Sequence, residues 1–286
     1  MRVELKNTTR KLCIIGDPVL HSKSPILQNA MLSALGLDYV YLCQKVERGR
    51  AEEWLHFAKF AGYAGFNATM PHKEALVPLM DELDPLAAKC GAVNTVSIRE
   101  GKACGFNTDG GGFLRALDEL GVSPAEKRVL LLGSGGAAKA VSAALCMAGA
   151  TVTVCNRTVK RAEELCGMYP QVMTPAGFSI GELRREAEKA DVLVNCTSLG
   201  MAGTDAQFED FSFLEALPQT AAVCDAIYAP AKTELLKRAE ELGHPAMNGM
   251  GMLLHQAVLA LEHFVEESFD ETIALMAART ALEATR

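Results

Sequence analysis

The segment KRVLLLGSGGAA, residues 127–138, carries an apolar run from Val129 to Leu132 straight into glycines. A short apolar run that stops at glycine reads as a buried strand. AAKAVSAALCMAGA, which continues from it, reads as a helix. Gly133, Gly135 and Ala138 fit G-x-G-x-x-[GA] at the junction. A tight turn there lets backbone N–H groups and a helix N-terminus reach a pyrophosphate, so the order strand, glycine turn, helix says more than the glycines alone. The competing reading is a glycine turn that serves packing only.

The same alternation extends outward. TVTVCN reads as a strand, RAEELCGMY as a helix, and DVLVNC and AAVCDA as further strands. Upstream lie strands at KLCIIG, YVYLCQKV and YAGFNAT, and a hairpin, NTVSIREGKACGF, turning at Glu100-Gly101. Helices are expected near 25–35 and 50–61, the first with Ser24 as N-cap, Pro25 at its first position and Gly36 as its stop. LLHQAVLALEHF and ETIALMAARTALEA show helical apolar spacing. Strands alternating with helices imply an α/β fold with mostly parallel sheets. The change of pattern puts a domain boundary near residue 107.

Composition narrows the function. With 286 residues there is room for two domains, and 49% hydrophobic against 22% charged residues is ordinary for a globular chain. A net charge of -7 argues against nucleic acid as a partner. The N-terminal MRVELKNTTR has no apolar signal-peptide core, and no apolar run approaches the roughly 20 residues of a membrane span. The expectation is a cytoplasmic protein whose N-x-[ST] sequons, including Asn67-Ala68-Thr69, go unused. Nine cysteines without a C-x-x-C pair read as reduced thiols. His21, His72 and His255 have no metal-ligand spacing, so no metal is expected.

The strand after the glycine turn ends CNRTVKR. A site for NAD usually places an acidic residue there to take the ribose 2'-hydroxyl. Here stand Asn156, Arg157, Thr158, Lys160 and Arg161, which suit a 2'-phosphate and hence NADP; Lys160 reads equally well as part of a solvated helix face. Elsewhere, GDPVLHSKSP sets Ser22 and Ser24 beside a helix N-terminus, a combination that binds carboxylate, and Ser22 shows no capping duty. NATMPHK offers Thr69 and Lys73, GAVNT offers Asn94, and GFNTDGGG offers Asn107, Thr108 and Asp109. Reducing a ketone by hydride transfer needs a proton donor within about 3 Å of the developing oxyanion, and an ammonium supplies both charge and proton. Asp109 would hold that ammonium but raise its pKa, which leaves open whether lysine or aspartate moves the proton. Asp109 could also be the N-cap of GGFLRALDEL.

GDPVLHSKSP, NATMPHK, GAVNT, GFNTDGGG, GSGGAA, CNRT, NCTSLGM, DAIYAP and NGMGMLLHQ, in this order, make the chain resemble the shikimate dehydrogenase family over essentially its whole length. Gln28 in SPILQN departs from a common histidine. The resemblance implies an N-terminal α/β substrate domain (1–107, completed by C-terminal helices in 248–286) and a Rossmann-type, doubly wound NADP domain (108–247). It implies Lys73 and Asp109 as the catalytic pair, and Ser22, Ser24, Thr69, Asn94 and Gln256 as substrate contacts, with Tyr228 of DAIYAP at the border of the substrate cleft. Gly133, Ser134, Gly135, Gly136 and Ala137 with Asn156, Arg157 and Thr158 would hold the cofactor. Thr197, Ser198 and Met201 of NCTSLGM, with Gly249, would line its nicotinamide side, while packing is as good an account of any one residue of NCTSLGM, Asn195 included. The implied reaction is NADPH-dependent reduction of 3-dehydroshikimate to shikimate, with a homodimer left open as the assembly. A quinate or dual quinate/shikimate dehydrogenase is the rival within enzymes; its site must admit a further tertiary hydroxyl, and Ser22, Ser24 and Thr69 favour the planar acid. A ligand sensor without turnover is the rival outside them.

Overall fold

The computed structural model describes residues 5–284. Two compact units partition the chain: one takes the residues up to Thr108 and those from Leu254 onward, the other Asp109–Leu253.

The first unit is built on a six-stranded sheet. Its strands are β1 (Arg10–Gly16), β2 (Tyr39–Lys45), β3 (Tyr63–Ala68), β4 (Glu82–Leu83), β5 (Thr95–Arg99) and β6 (Lys102–Phe106), in the order β2-β1-β3-β5-β6-β4. β1 pairs parallel with both β2 and β3, whereas β5 runs antiparallel to β3 and β6. The β5–β6 hairpin turns through Glu100 and Gly101, both at positive φ, as a two-residue turn between twisted strands requires. Helices α1 (Ser24–Ala34), α2 (Ala51–Phe60) and α3 (Pro85–Cys90) follow their strands, and α10 (Glu271–Glu283) packs on α1. All six residues of β3 are buried. At Gly65 a Cβ would fall 2.5 Å from the Val96 carbonyl and 2.6 Å from the Phe264 ring, so no side chain fits. Trp54, Tyr63 and Phe66 meet edge-on in the core below, a favoured ring geometry.

The second unit holds α4 (Thr108–Glu119, from Asp109 on) and strands β7 (Arg128–Leu132), β8 (Thr151–Cys155), β9 (Met173–Ala176), β10 (Val192–Asn195), β11 (Ala222–Asp225) and β12 (Ala246–Met247). Helices α5 (Gly136–Met147), α6 (Val159–Cys166), α7 (Ile180–Ala187) and α8 (Glu234–Glu241) cross between them. The order β9-β8-β7-β10-β11-β12 is wholly parallel and is that of a doubly wound dinucleotide fold, which reverses direction between β7 and β10. Helix α9 (Met250–Phe264) starts here and continues into the first unit.

Three local expectations change. The N-cap of α1 is Lys23; Ser24 is the first helical residue and makes no capping bond. Ser22 does take a capping role: its Oγ accepts from Ser24 N at 3.2 Å, because the N–H of the first helical residue has no intrahelical partner. Asp109 lies within the first turn of α4 and not at its N-cap, since the helix already begins at Thr108.

Candidate active site

In the first unit the candidate substrate residues sit on turns stitched to strand ends. After β3 the chain turns through Thr69, whose N–H donates to Ile15 O (2.9 Å) at the end of β1, and Asp17 N returns a bond to Met70 O (3.0 Å). Lys73 is half-buried, and its carbonyl accepts from Val93 N at 2.9 Å, which fixes the lysine backbone beside Asn94. His72 is buried, with Nε2 2.8 Å from Val46 O.

Three buried side chains that the motif reading passed over tie these turns together. Tyr41 Oη donates to Asn67 Oδ1 at 2.6 Å. Burial holds the Tyr41 phenol well above its ordinary pKa, so it stays a neutral donor. Asn67 Nδ2 donates to Thr95 Oγ1 (2.9 Å), and Thr95 Oγ1 to Asn94 Oδ1 (2.9 Å). Asn94 then grips Thr108: its Oδ1 accepts from Thr108 N at 2.8 Å, and its Nδ2 donates to Thr108 Oγ1 at 3.0 Å. One network thus runs from Tyr41 to Thr108, the residue before Asp109. Asn107 Nδ2 donates to Ala92 O at 2.9 Å, which fixes the turn from the other side. The only signal for this network in the sequence was a run of polar residues inside otherwise apolar strands. Gln256 is half-buried on α9; next to it, Ala257 O accepts from Gln28 Nε2 at 2.9 Å, tying α9 to α1.

In the second unit the glycine turn leaves β7 at the switch point, where ligands of open α/β sheets bind. Gly133 has φ +102°, open to glycine, and a Cβ there would stand 3.0 Å from Thr197 Cγ2 and 3.1 Å from Cys196 O. Gly135, the N-cap of α5, makes no side-chain cap bond, and the first turn of α5 holds no acid. Cβ atoms built at Gly135 and Gly136 meet nothing within 4 Å, so the helix N-terminus is open as a pyrophosphate requires. Ser134 and Ala137 complete this turn.

At the end of β8, Asn156 Nδ2 donates to Thr158 O (2.9 Å) and shapes the turn that leaves Arg157 and Thr158 exposed. Lys160 and Arg161 follow on exposed positions at the start of α6. The donor set, cations and a hydroxyl with no carboxylate, fits a 2'-phosphate. After β10, Thr197 is half-buried and Ser198 exposed, and Met201 N donates to Ser198 O at 3.1 Å. Ala202 N donates to Ala229 O at 2.8 Å, linking the Met201 turn to the one bearing Tyr228; Met201 and Tyr228 are 40% and 38% exposed, so neither is a core residue. Gly249 N donates to Ile227 O at 2.9 Å. Among the described residues no group of three or more His, Cys, Asp or Glu could hold a metal ion, and no helix is long and apolar enough to cross a membrane.

Comparison with known proteins agrees with this arrangement. Residues 14–96 match the family model of the shikimate dehydrogenase substrate binding domain, and 116–203 that of shikimate / quinate 5-dehydrogenase. A shikimate dehydrogenase (NADP(+)) of Alkaliphilus metalliredigens is 40% identical over 273 residues, 93% of this chain and 95% of that protein. The crystal structure of shikimate 5-dehydrogenase from Thermus thermophilus in complex with NADP(H) and shikimate is 34% identical, with a TM-score of 0.81 over 95% of this chain and 99% of that one. The quinate dehydrogenase of Corynebacterium glutamicum in complex with NAD is 30% identical, with a TM-score of 0.85 over 95% and 99%. Backbone similarity extends to both substrates, so side chains must separate them. With matched family models on both units and 40% identity across nearly its full length, the chain belongs to the shikimate dehydrogenase family.

Proposed function

We propose that the protein is an NADP-dependent shikimate dehydrogenase that reversibly reduces 3-dehydroshikimate to shikimate in aromatic amino-acid biosynthesis. The observation that carries this reading is the open N-terminus of α5 beside a β8 end with Arg157 and no carboxylate. When bound, NADPH supplies the hydride that reduces the substrate ketone.

The chain's own residues do the rest. Residues 1–107, completed by the C-terminal helices in 248–286, serve as substrate domain, and 108–247 as cofactor domain. Ser22 and Ser24 take the substrate carboxylate. Thr69, Asn94 and Gln256 hold the ring hydroxyls, and Tyr228 borders them. Lys73 delivers the proton to the ketone oxygen, and Asp109 orients it and binds a substrate hydroxyl. The glycine turn cradles the pyrophosphate, Asn156, Arg157 and Thr158 the 2'-phosphate, and Thr197, Ser198, Met201 and Gly249 the nicotinamide side. The net charge of -7 disfavours nucleic acid as a partner; the enzyme works on small molecules in the cytoplasm, away from membranes, with a homodimer left open.

The test is a spectrophotometric panel of shikimate and quinate against NADP and NAD. Fastest turnover with shikimate and NADP supports the reading. Preference for quinate or for NAD overturns it, and absence of turnover with all four pairs would make the protein a ligand sensor.

A further inference from the structure

Asp225, at the end of β11, is the only carboxylate among the described residues that is fully buried, at 1% exposure. Burying a carboxylate is costly unless its oxygens are satisfied, and both of these are. Oδ1 accepts from Ile227 N (3.0 Å) and from Asn195 Nδ2 (3.1 Å); Oδ2 accepts from Thr233 Oγ1 (2.7 Å).

The donors come from the end of β10, the turn after β11 and the N-cap of α8, all at the C-terminal end of the sheet. Asn195 faces Asp225 across the β10–β11 ladder, and its Oδ1 accepts from Thr197 N (3.0 Å) and Thr197 Oγ1 (2.7 Å). Thr197 Oγ1 in turn accepts from Leu199 N (3.1 Å), which closes the turn after β10. Thr197 is also the residue that a side chain at Gly133 would strike, so it packs against the glycine turn. Ile227 leads into Tyr228 and through its carbonyl holds Gly249. Thr233 caps α8 by accepting from Leu236 N (3.4 Å).

We propose that Asp225 is a positioning residue for the cofactor: through Asn195 and Ile227 its carboxylate sets the turns carrying Thr197, Ser198 and Tyr228, and so shapes the nicotinamide side of the site. An acceptor-only group is needed because three donors converge; an amide would present N–H to one of them. The adenosine side, at Asn156 to Thr158, makes no bond to this network. This inference rests on the NADP dehydrogenase reading.

The experiment separates the two halves of the cofactor. Wild type, Asp225→Asn and Asp225→Ala are assayed for kcat and for KM of NADP and shikimate. Adenosine 2',5'-bisphosphate, which lacks the nicotinamide half, is titrated into each by calorimetry. Asp225→Asn should lose about fivefold or more in kcat/KM for NADP, and Asp225→Ala more, while the Kd of the bisphosphate stays within about twofold. Parallel weakening of NADP and the bisphosphate, or wild-type kinetics in Asp225→Asn, would overturn the assignment. So would failure of Asp225→Asn to fold, which would make the carboxylate a folding element. If Asp225→Ala alone does not fold, Asp225→Asn gives the answer. A wild type without NADP-dependent turnover would instead refute the underlying reading.

Discussion

The Tyr41 hydroxyl donates to Asn67 Oδ1 at 2.6 Å, between two side chains that are 2% and 6% exposed. Removing that hydroxyl in Tyr41→Phe leaves a buried acceptor without its donor, at a cost of about 1–3 kcal/mol. Urea denaturation should show the lower stability, and steady-state kinetics a higher KM for shikimate; an unchanged midpoint would contradict the network.

Lys73→Ala should lower kcat by about 100-fold or more, with a much smaller change in KM for shikimate, because a proton donor acts in the transition state. The backbone bond from Val93 N to the Lys73 carbonyl is kept in this variant. Turnover equal to wild type would remove Lys73 from the chemistry.

Arg157→Ala should raise KM for NADP about 10- to 100-fold, the worth of one charge-assisted contact to phosphate, and leave KM for NAD nearly unchanged. Parallel initial-rate measurements with the two cofactors check this. An equal effect on both would place the 2'-phosphate elsewhere.

His263 stacks on Phe106 with ring centroids 3.7 Å apart, and Arg99 donates to its carbonyl at 3.1 Å. Burial first, and the Arg99 charge second, push its imidazole down from 6.5 to about 4. The unfolded chain therefore binds this proton more readily than the folded one between those values. The stabilisation is complete above about pH 6.5 and is lost as pH falls toward 4, by on the order of 3 kcal/mol at most. His263→Phe keeps a ring for the stack and should flatten this part of the stability profile in pH-dependent thermal melts.

Much of the fold was legible because each long element obeyed one period. β1, β3, β7 and β8 are apolar runs that end at glycine or a polar turn, and the hairpin announced itself in Glu100-Gly101. What escaped was short or irregular. β9 contains Pro175, tolerated because β9 is an edge strand, and β4 and β12 have two residues each. α7 did carry a signal, the Ser179/Glu182 capping box, which the apolar pattern does not include. At the site, motifs located the residues on turns, but not the buried chain Tyr41–Asn67–Thr95 beneath them. Such hydrogen bonds join residues far apart in sequence, and no local spacing encodes them.

The first unit is closed by chain from Leu254 onward, while the second is one uninterrupted segment. A ribosome making this protein therefore polymerises everything the second core needs before it has made the strip, α10 included, that covers α1. A chain released after Leu253 should already protect β7 and β10 from protease while β1 and α1 are still cut, a vectorial order built into the placement of two helices.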